Sequence, residues 1–268
     1  MVTRVGVIIC ACSTEAVFLG QLLRECLHFS KDIVVSYTDK MYNGDHEDLS
    51  YINKVIDSFP DVKFVKYDVD LSLPKEKMQG VQNRPTAYWH NLARFTAINA
   101  LNPDTDWVFV LDADEIPEGV RVSQWLQQIG KDLSINECYK LATYWYFKYP
   151  IFQAQSYEDS ILLIHKSHLT PNNVFGDNER DFTITNSQTT LKREVMGLDG
   201  KPLWHHFSFV RTKENLKKKL SSWGHRDDLL KNVNIDDVVN YVFRDAGVND
   251  FVHGYKYNIV DNKFDILI

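Results

Sequence analysis

The chain has 268 residues, 44% hydrophobic and 25% charged, which is enough apolar material for one large folded domain and too much for a disordered segment. Its 30 basic and 36 acidic residues leave a formal net charge of -6, which argues against a protein built to grip nucleic-acid phosphates. No Pro-, Gly- or Ser-rich linker divides it, no apolar run has membrane-span length, and the N-terminus shows no cleavable leader, so a cytoplasmic chain is expected.

The apolar run Val5–Cys12 predicts a strand buried on both faces of a mainly parallel sheet. Phe18, Leu19, Leu22, Leu23, Cys26 and Leu27 then follow at helical spacing within Glu15–Phe29, with Ser13 or Thr14 available as the cap. Ile33–Tyr37 reads as a second strand ending at Asp39. Asp48–Phe59 reads as a helix stopped by Pro60, and Val62–Val69 as a third strand. Beyond Arg84 and Pro85, Ala87–Leu101 predicts another helix and Asp106–Leu111 a central strand. Tyr139–Tyr149 and Ile161–Ile164 look like strands of a partly antiparallel half. Cys10, Cys12, Cys26 and Cys138 lack zinc or redox spacing and read as reduced core residues. The basic run Lys213–Lys219 either meets a pyrophosphate or forms the solvated face of a helix, and the solvated face is favoured.

The central strand runs into Asp112-Ala113-Asp114-Glu115-Ile116-Pro117. Ligands of open α/β sheets gather at the carboxyl ends of strands, so an acidic cluster there stands where chemistry is done. In extended backbone, side chains two apart share a face, so Asp112 and Asp114 are expected to hold one hard divalent ion, Mn²⁺ or Mg²⁺, that bridges phosphates. Such an ion would neutralise charge developing on a departing diphosphate. Rival readings fit less well. A calcium loop would need its third ligand at Ile116 and glycine at Pro117. A phosphatase with an aspartyl nucleophile prefers Thr or Val where Ile116 stands. A nucleotidyltransferase would want a Gly-rich loop where this chain has Ala11-Cys12-Ser13-Thr14-Glu15.

The segment Trp107–Pro117 resembles the donor-site strand of GT-A glycosyltransferases, especially families two and seventeen; the latter contains the β-1,4-mannosyl-glycoprotein N-acetylglucosaminyltransferases. A second match lies downstream, where His206-Phe207-Ser208-Phe209 precedes Lys219-Leu220-Ser221-Ser222-Trp223-Gly224-His225, similar to the His-aromatic-Ser-aromatic and Lys-x-x-Ser-aromatic-x-His pattern of family seventeen. The resemblance implies an α/β fold of GT-A (Rossmann-like) type. Its mixed, mainly parallel central sheet would be flanked by helices, with a helical C-terminal part. Residues 1–228 would form the transferase domain, with a donor-binding half about 1–118 and an acceptor-side half about 119–228. Residues 229–268 would be an extension packed on the same domain.

It also implies transfer of a sugar from a nucleotide-sugar, with a UDP-sugar favoured, to an acceptor hydroxyl of a glycan or glycoprotein. By resemblance Asp114 binds the metal, Asp112 contacts the ribose or the metal through water, and His206 is a third ligand. His205 stands where the family has an aromatic residue, which leaves His205 as the alternative to His206. Nucleotide contacts are expected from Cys12, Ser13, Thr14, Asp39, Arg94, Asp112 and Ala113. For Asp39 the rival is a turn residue, and for Arg94 a helix-surface ion pair. Inversion at the anomeric carbon requires a carboxylate base, with candidates Glu158, Asp159, Glu179 and Asp181. Glu179, in the polar loop Phe175–Asp181, is the first choice, and Asp159 is retained as the second. A non-catalytic nucleotide-sugar or carbohydrate-binding module is the alternative from another class.

Overall fold

The computed structural model describes residues 4–81, 84–222, 224, 226, 233–244, 249–250 and 253–268. Trp223 and His225 of the downstream motif, and the expected boundary at Asp228, lie outside the described residues. Strands β1 (Val5–Cys10), β2 (Asp32–Tyr37), β3 (Lys63–Lys66) and β4 (Trp107–Asp112) alternate with helices α1 (Ala16–Cys26), α2 (Ser50–Ser58) and α3 (Pro85–Ala100). After the short β5 (Glu115–Pro117) come α4 (Gly119–Ile129), β6 (Glu137–Phe147) and β7 (Phe152–His165). Next follow α5 (Pro171–Val174), α6 (Glu179–Ser187), β8 (Thr190–Val195), β9 (Trp204–Phe209) and α7 (Lys213–Ser222). A helix at Ile235–Val242 and strand β10 (Tyr257–Ile259) complete the described elements.

Among the described residues the sheet has ten strands in the order β3-β2-β1-β4-β7-β6-β9-β5, with β10 beside β7 and β8 beside β6. The first four run parallel, and β7 then joins β4 antiparallel. β6 is antiparallel to β7 and parallel to β9, so the sheet is the mixed α/β sheet expected. Burial on both faces explains the apolar runs. Val7, Ile9, Phe109 and Leu111 pack with Phe18, Leu19 and Leu22 of α1, whereas Ile8, Val108 and Val110 pack with Ala97 and Ile98 of α3.

Two local expectations change. Neither Ser13 nor Thr14 caps α1: the cap position is Glu15, with no side-chain cap bond, and the Thr14 hydroxyl is paired with Cys12 Sγ. The segment containing Glu179 is not a loop beyond Asn178. Glu179 is the first residue of α6, entered through Asn178 at φ 64°. No helix among the described residues is long and apolar enough to cross a membrane.

Candidate active site

Parallel pairing sets Cys10 of β1 beside Asp112 of β4, so the carboxyl ends of both strands open into one cleft with a cavity volume of about 180 Å³. Cys10, Ala11, Cys12, Thr14 and Glu15 line its floor. Thr38, Lys40, Met41, Tyr42, Glu47 and Tyr67 also line it, as do Asp112, Asp114, Glu179, Arg180, His206 and Lys219. The lining thus combines the tyrosines Tyr42 and Tyr67 with a dense set of charged side chains.

The strand ends at Asp112, so the rule that side chains two apart share a face no longer holds for Asp114 in the following turn. Asp112 Oδ1 lies 3.3 Å from Arg94 Nη2 and 3.4 Å from His90 Nε2, and its Oδ2 lies 3.1 Å from Arg180 Nη2. Asp114, 1% exposed, accepts at Oδ2 from Arg211 (2.7 Å) and Lys219 (3.0 Å), while its Oδ1 sits 3.6 Å from His206 Nε2. Burial alone pushes both carboxyls up. Arg180 and Arg94 overcome this at Asp112, and Lys219, Arg211 and His206 at Asp114, so both titrate well below the ordinary carboxylate range.

Glu115 completes the turn. Fully buried, it takes a two-pronged contact from Arg180, Nη1 to Oε1 at 2.8 Å and Nη2 to Oε2 at 2.6 Å, and its Oε2 accepts the Asp112 backbone N–H at 2.7 Å. Glu179 faces the same cleft, with Oε2 3.0 Å from Arg94 and Oε1 2.9 Å from His90 Nδ1. Arg94 is therefore neither a phosphate contact on the cleft wall nor a helix-surface pair, but a buried cation beneath Asp112 and Glu179.

The adjacent histidines separate as neighbouring strand residues must. His205 points into the core, between Tyr146 Oη (2.8 Å) and Glu118 Oε1 (3.1 Å), and burial lowers its pKa. His206 lines the cleft beside Asp114. In the basic helix, Lys213 and Lys217 are exposed, but Lys219 is buried with Leu216 and Leu220 and reaches the cleft, which corrects the solvated-face expectation at that position.

Other expected residues spread out. Cys12 and Thr14 line the cleft, while the Ser13 N–H donates to Glu47 Oε2 at 3.2 Å. Ala113 is buried, its N–H bonded to Cys10 O. Asp39 is not brought to the cleft but pairs with Lys66 at 2.6 Å, and the carboxylate that enters from this segment is Glu47, 1% exposed. Asp159 likewise stays outside, paired with Arg193 at 2.7 Å. Asp181 pairs with Lys140, and Glu158 with His253. Sequence reasoning missed Glu47, His90, Glu115, Arg180 and Arg211. A usable signal existed only for Lys219, whose neighbours Leu216 and Leu220 mark a buried face.

Three ligands sharing one ion must bring their donor atoms together. Among the described residues the His, Cys, Asp and Glu set whose ligand atoms do so is Cys10, His90 and Asp112, and its Asp112 is already held by Arg94 and Arg180. Asp112, Asp114 and His206 do not form such a set. In the expected arrangement Asp112 reaches the ion only through water, and the two direct ligands, Asp114 Oδ1 and His206 Nε2, lie 3.6 Å apart.

No protein-family model and no curated protein matches the chain. Among solved structures, it is similar to S. aureus TarS 1-349, at 11% identity and TM-score 0.48, over 90% of this chain and 70% of that one. It is also similar to 4-diphosphocytidyl-2C-methyl-D-erythritol synthase from Anaerococcus prevotii, at 11% identity and TM-score 0.43, over 74% of this chain and 89% of that one. A third is CMP:2-keto-3-deoxy-manno-octonic acid synthetase complexed with CTP, at 10% identity and TM-score 0.42, over 74% and 93% of the two chains.

Proposed function

We propose that the chain is a nucleotide-sugar-dependent glycosyltransferase whose donor lies along the cleft, nucleoside toward Tyr42 and Tyr67 and diphosphate toward the acidic turn. One observation carries the reading: a single cleft at the carboxyl ends of β1 and β4 is lined both by Tyr42 and Tyr67 and by the charged groups Asp112, Asp114, Arg180 and Lys219. Tyrosine faces suit a base, and the cations among these charges suit a diphosphate whose negative charge grows as the sugar leaves.

Of the four candidate bases, Glu179 is the one that lines this cleft. In this reading it takes the proton of the acceptor hydroxyl as that oxygen attacks the anomeric carbon, giving inversion in one displacement. His90 and Arg94 hold its carboxylate in place. A glycan hydroxyl is the acceptor class, and a UDP-sugar is the donor to try first.

The test is a panel of UDP-, GDP- and dTDP-sugars in a thermal-shift screen, followed by donor hydrolysis, on the wild type and Asp114→Asn. Stabilisation by one nucleotide class, weakened in the variant and accompanied by hydrolysis, is the expected result. Stabilisation without any turnover would favour the binding-module reading, and no response to any donor would overturn both.

A further inference from the structure

His90 stands on the buried face of α3, and its two ring nitrogens are held differently. Nδ1 lies 2.9 Å from Glu179 Oε1, a carboxylate that can only accept, so a ring proton sits on Nδ1. This turns Nε2 toward Asp112 Oδ1 at 3.4 Å, and Cys10 joins them, the three ligand atoms lying within 4.8 Å of one another. Parallel register supplies the cysteine, because Cys10 of β1 is the direct partner of Asp112 on β4. All three residues line the cleft.

The gap of 3.4 Å between His90 and Asp112 is long for a hydrogen bond. It matches the spacing of about 3.3 Å that tetrahedral geometry sets between two ligands each about 2.0–2.1 Å from one zinc ion. A carboxylate on the other nitrogen of a metal-binding histidine fixes both the ring and its tautomer, and Glu179 is in that place. Charge also favours a cation here. With His90 neutral, Asp112, Glu115 and Glu179 set three negative charges against the two positive charges of Arg94 and Arg180, a partly buried excess of one. Nor do the two arginines exhaust Asp112, since a carboxylate has about four acceptor positions and the arginines approach one oxygen each.

We propose that Cys10, His90 and Asp112 form a zinc site, with Sγ, Nε2 and a carboxylate oxygen as ligands and a fourth position open to the cleft for water or an oxygen of a bound molecule. One sulfur, one imidazole and one carboxylate suit zinc better than Mn²⁺ or Mg²⁺, which favour oxygen. Binding displaces the thiol proton of Cys10 and, where His90 is doubly protonated, the proton on Nε2. The site is separate from the Asp114–His206 pair, and the inference does not depend on the nucleotide-sugar reading.

Cobalt and zinc titrations of the full chain, stripped of metal with EDTA and exchanged into chelator-free buffer, test this. Wild type is compared with Cys10→Ser, His90→Gln and Cys12→Ser, with melting curves to verify folding. The expected result is one Co²⁺ per chain, with thiolate-to-metal charge-transfer absorption and the strong visible bands of four-coordinate cobalt, both removed by added zinc. Cys10→Ser should abolish the thiolate absorption. Cys10→Ser and His90→Gln should each lower zinc affinity by about a hundredfold or more in competition with a chromophoric chelator, whereas Cys12→Ser should change neither readout. Glu179→Gln, which weakens the support behind Nδ1, should lower zinc affinity about tenfold and keep the thiolate absorption.

A wild-type cobalt spectrum without thiolate absorption, or zinc affinity unchanged in Cys10→Ser or in His90→Gln, overturns the inference. Loss of the thiolate absorption in Cys12→Ser also overturns it, because the ion would then sit on the neighbouring thiol. If Cys10→Ser fails to fold, His90→Gln and Cys12→Ser decide. Either result leaves the nucleotide-sugar reading where it stands.

Discussion

Arg180 spans Glu115 and Asp112, with both guanidinium nitrogens on the fully buried Glu115 carboxylate and Nη2 also 3.1 Å from Asp112 Oδ2. Burial works against the charge, yet Glu115 and Asp112 together hold the guanidinium pKa above its ordinary value. Arg180→Met would strand the Glu115 charge in the interior, and a loss of about 3–5 kcal/mol is expected in urea or thermal unfolding. Arg180→Lys should recover only part of it, because an ammonium cannot reproduce the planar two-pronged contact.

The role given to Glu179 predicts a separation of binding from turnover. Glu179→Gln keeps the side-chain volume and removes the base, so kcat should fall by about a hundredfold or more while nucleotide affinity stays near wild type. Steady-state kinetics with a calorimetric titration check both halves. Asp159→Asn, which disturbs only the contact with Arg193 outside the cleft, should leave kcat unchanged.

A pH effect is expected at the C-terminal end. Burial pulls the His253 pKa down, but Asp250 and Glu158 outweigh it and raise the value to about 9, against 6.5 for an ordinary histidine. A raised histidine pKa stabilises the fold fully below pH 6.5, and that contribution disappears as pH rises through about 9. Melting temperature should therefore drop between these limits in the wild type, and drop less in His253→Gln. Equal slopes in the two proteins would refute the assignment.

Gly119 opens α4 against the end of α1, and a Cβ built there would lie 2.1 Å from the Glu25 carbonyl oxygen. Its N–H also donates to Glu25 Oε2 at 2.8 Å. In a free helix Gly→Ala would gain about 1 kcal/mol, but here the collision should dominate and Gly119→Ala should destabilise by about 1–3 kcal/mol in chemical denaturation.

The parallel half of the sheet was legible because β1, β2 and β4 are short and apolar, and β1 and β2 are each followed by a helix with an apolar stripe. β7 was seen only at Ile161–Ile164. Its first half, with exposed Gln155, Ser156 and Tyr157, packs on one side at most and pairs with β6 through register shifts, which blurs its alternation. α6 was hidden for a different reason. Its buried residues are Arg180, Thr183, Ile184 and Ser187, a mostly polar set that gives no apolar periodicity. The acidic turn announced itself through its place after a buried strand. The cations around it did not, since Arg180 and Arg211 find their carboxylates 65 and 97 residues away. Local spacing holds no trace of such pairs.

The separation of Asp112 and Asp114 onto different cations bears on the order in which the molecule assembles. The contacts of this one turn reach Arg94 18 residues back, Arg180 within a loop closed from Glu115 over 65 residues, and Lys219 105 residues onward. Loop closure of this length is slow and is rewarded only after distant elements have docked. The short-range strand pairs β1–β2 and β2–β3 should consequently form early in folding, whereas β4, α6 and α7 join afterward, and the cleft comes into being as the last part of the chain to acquire its native charges.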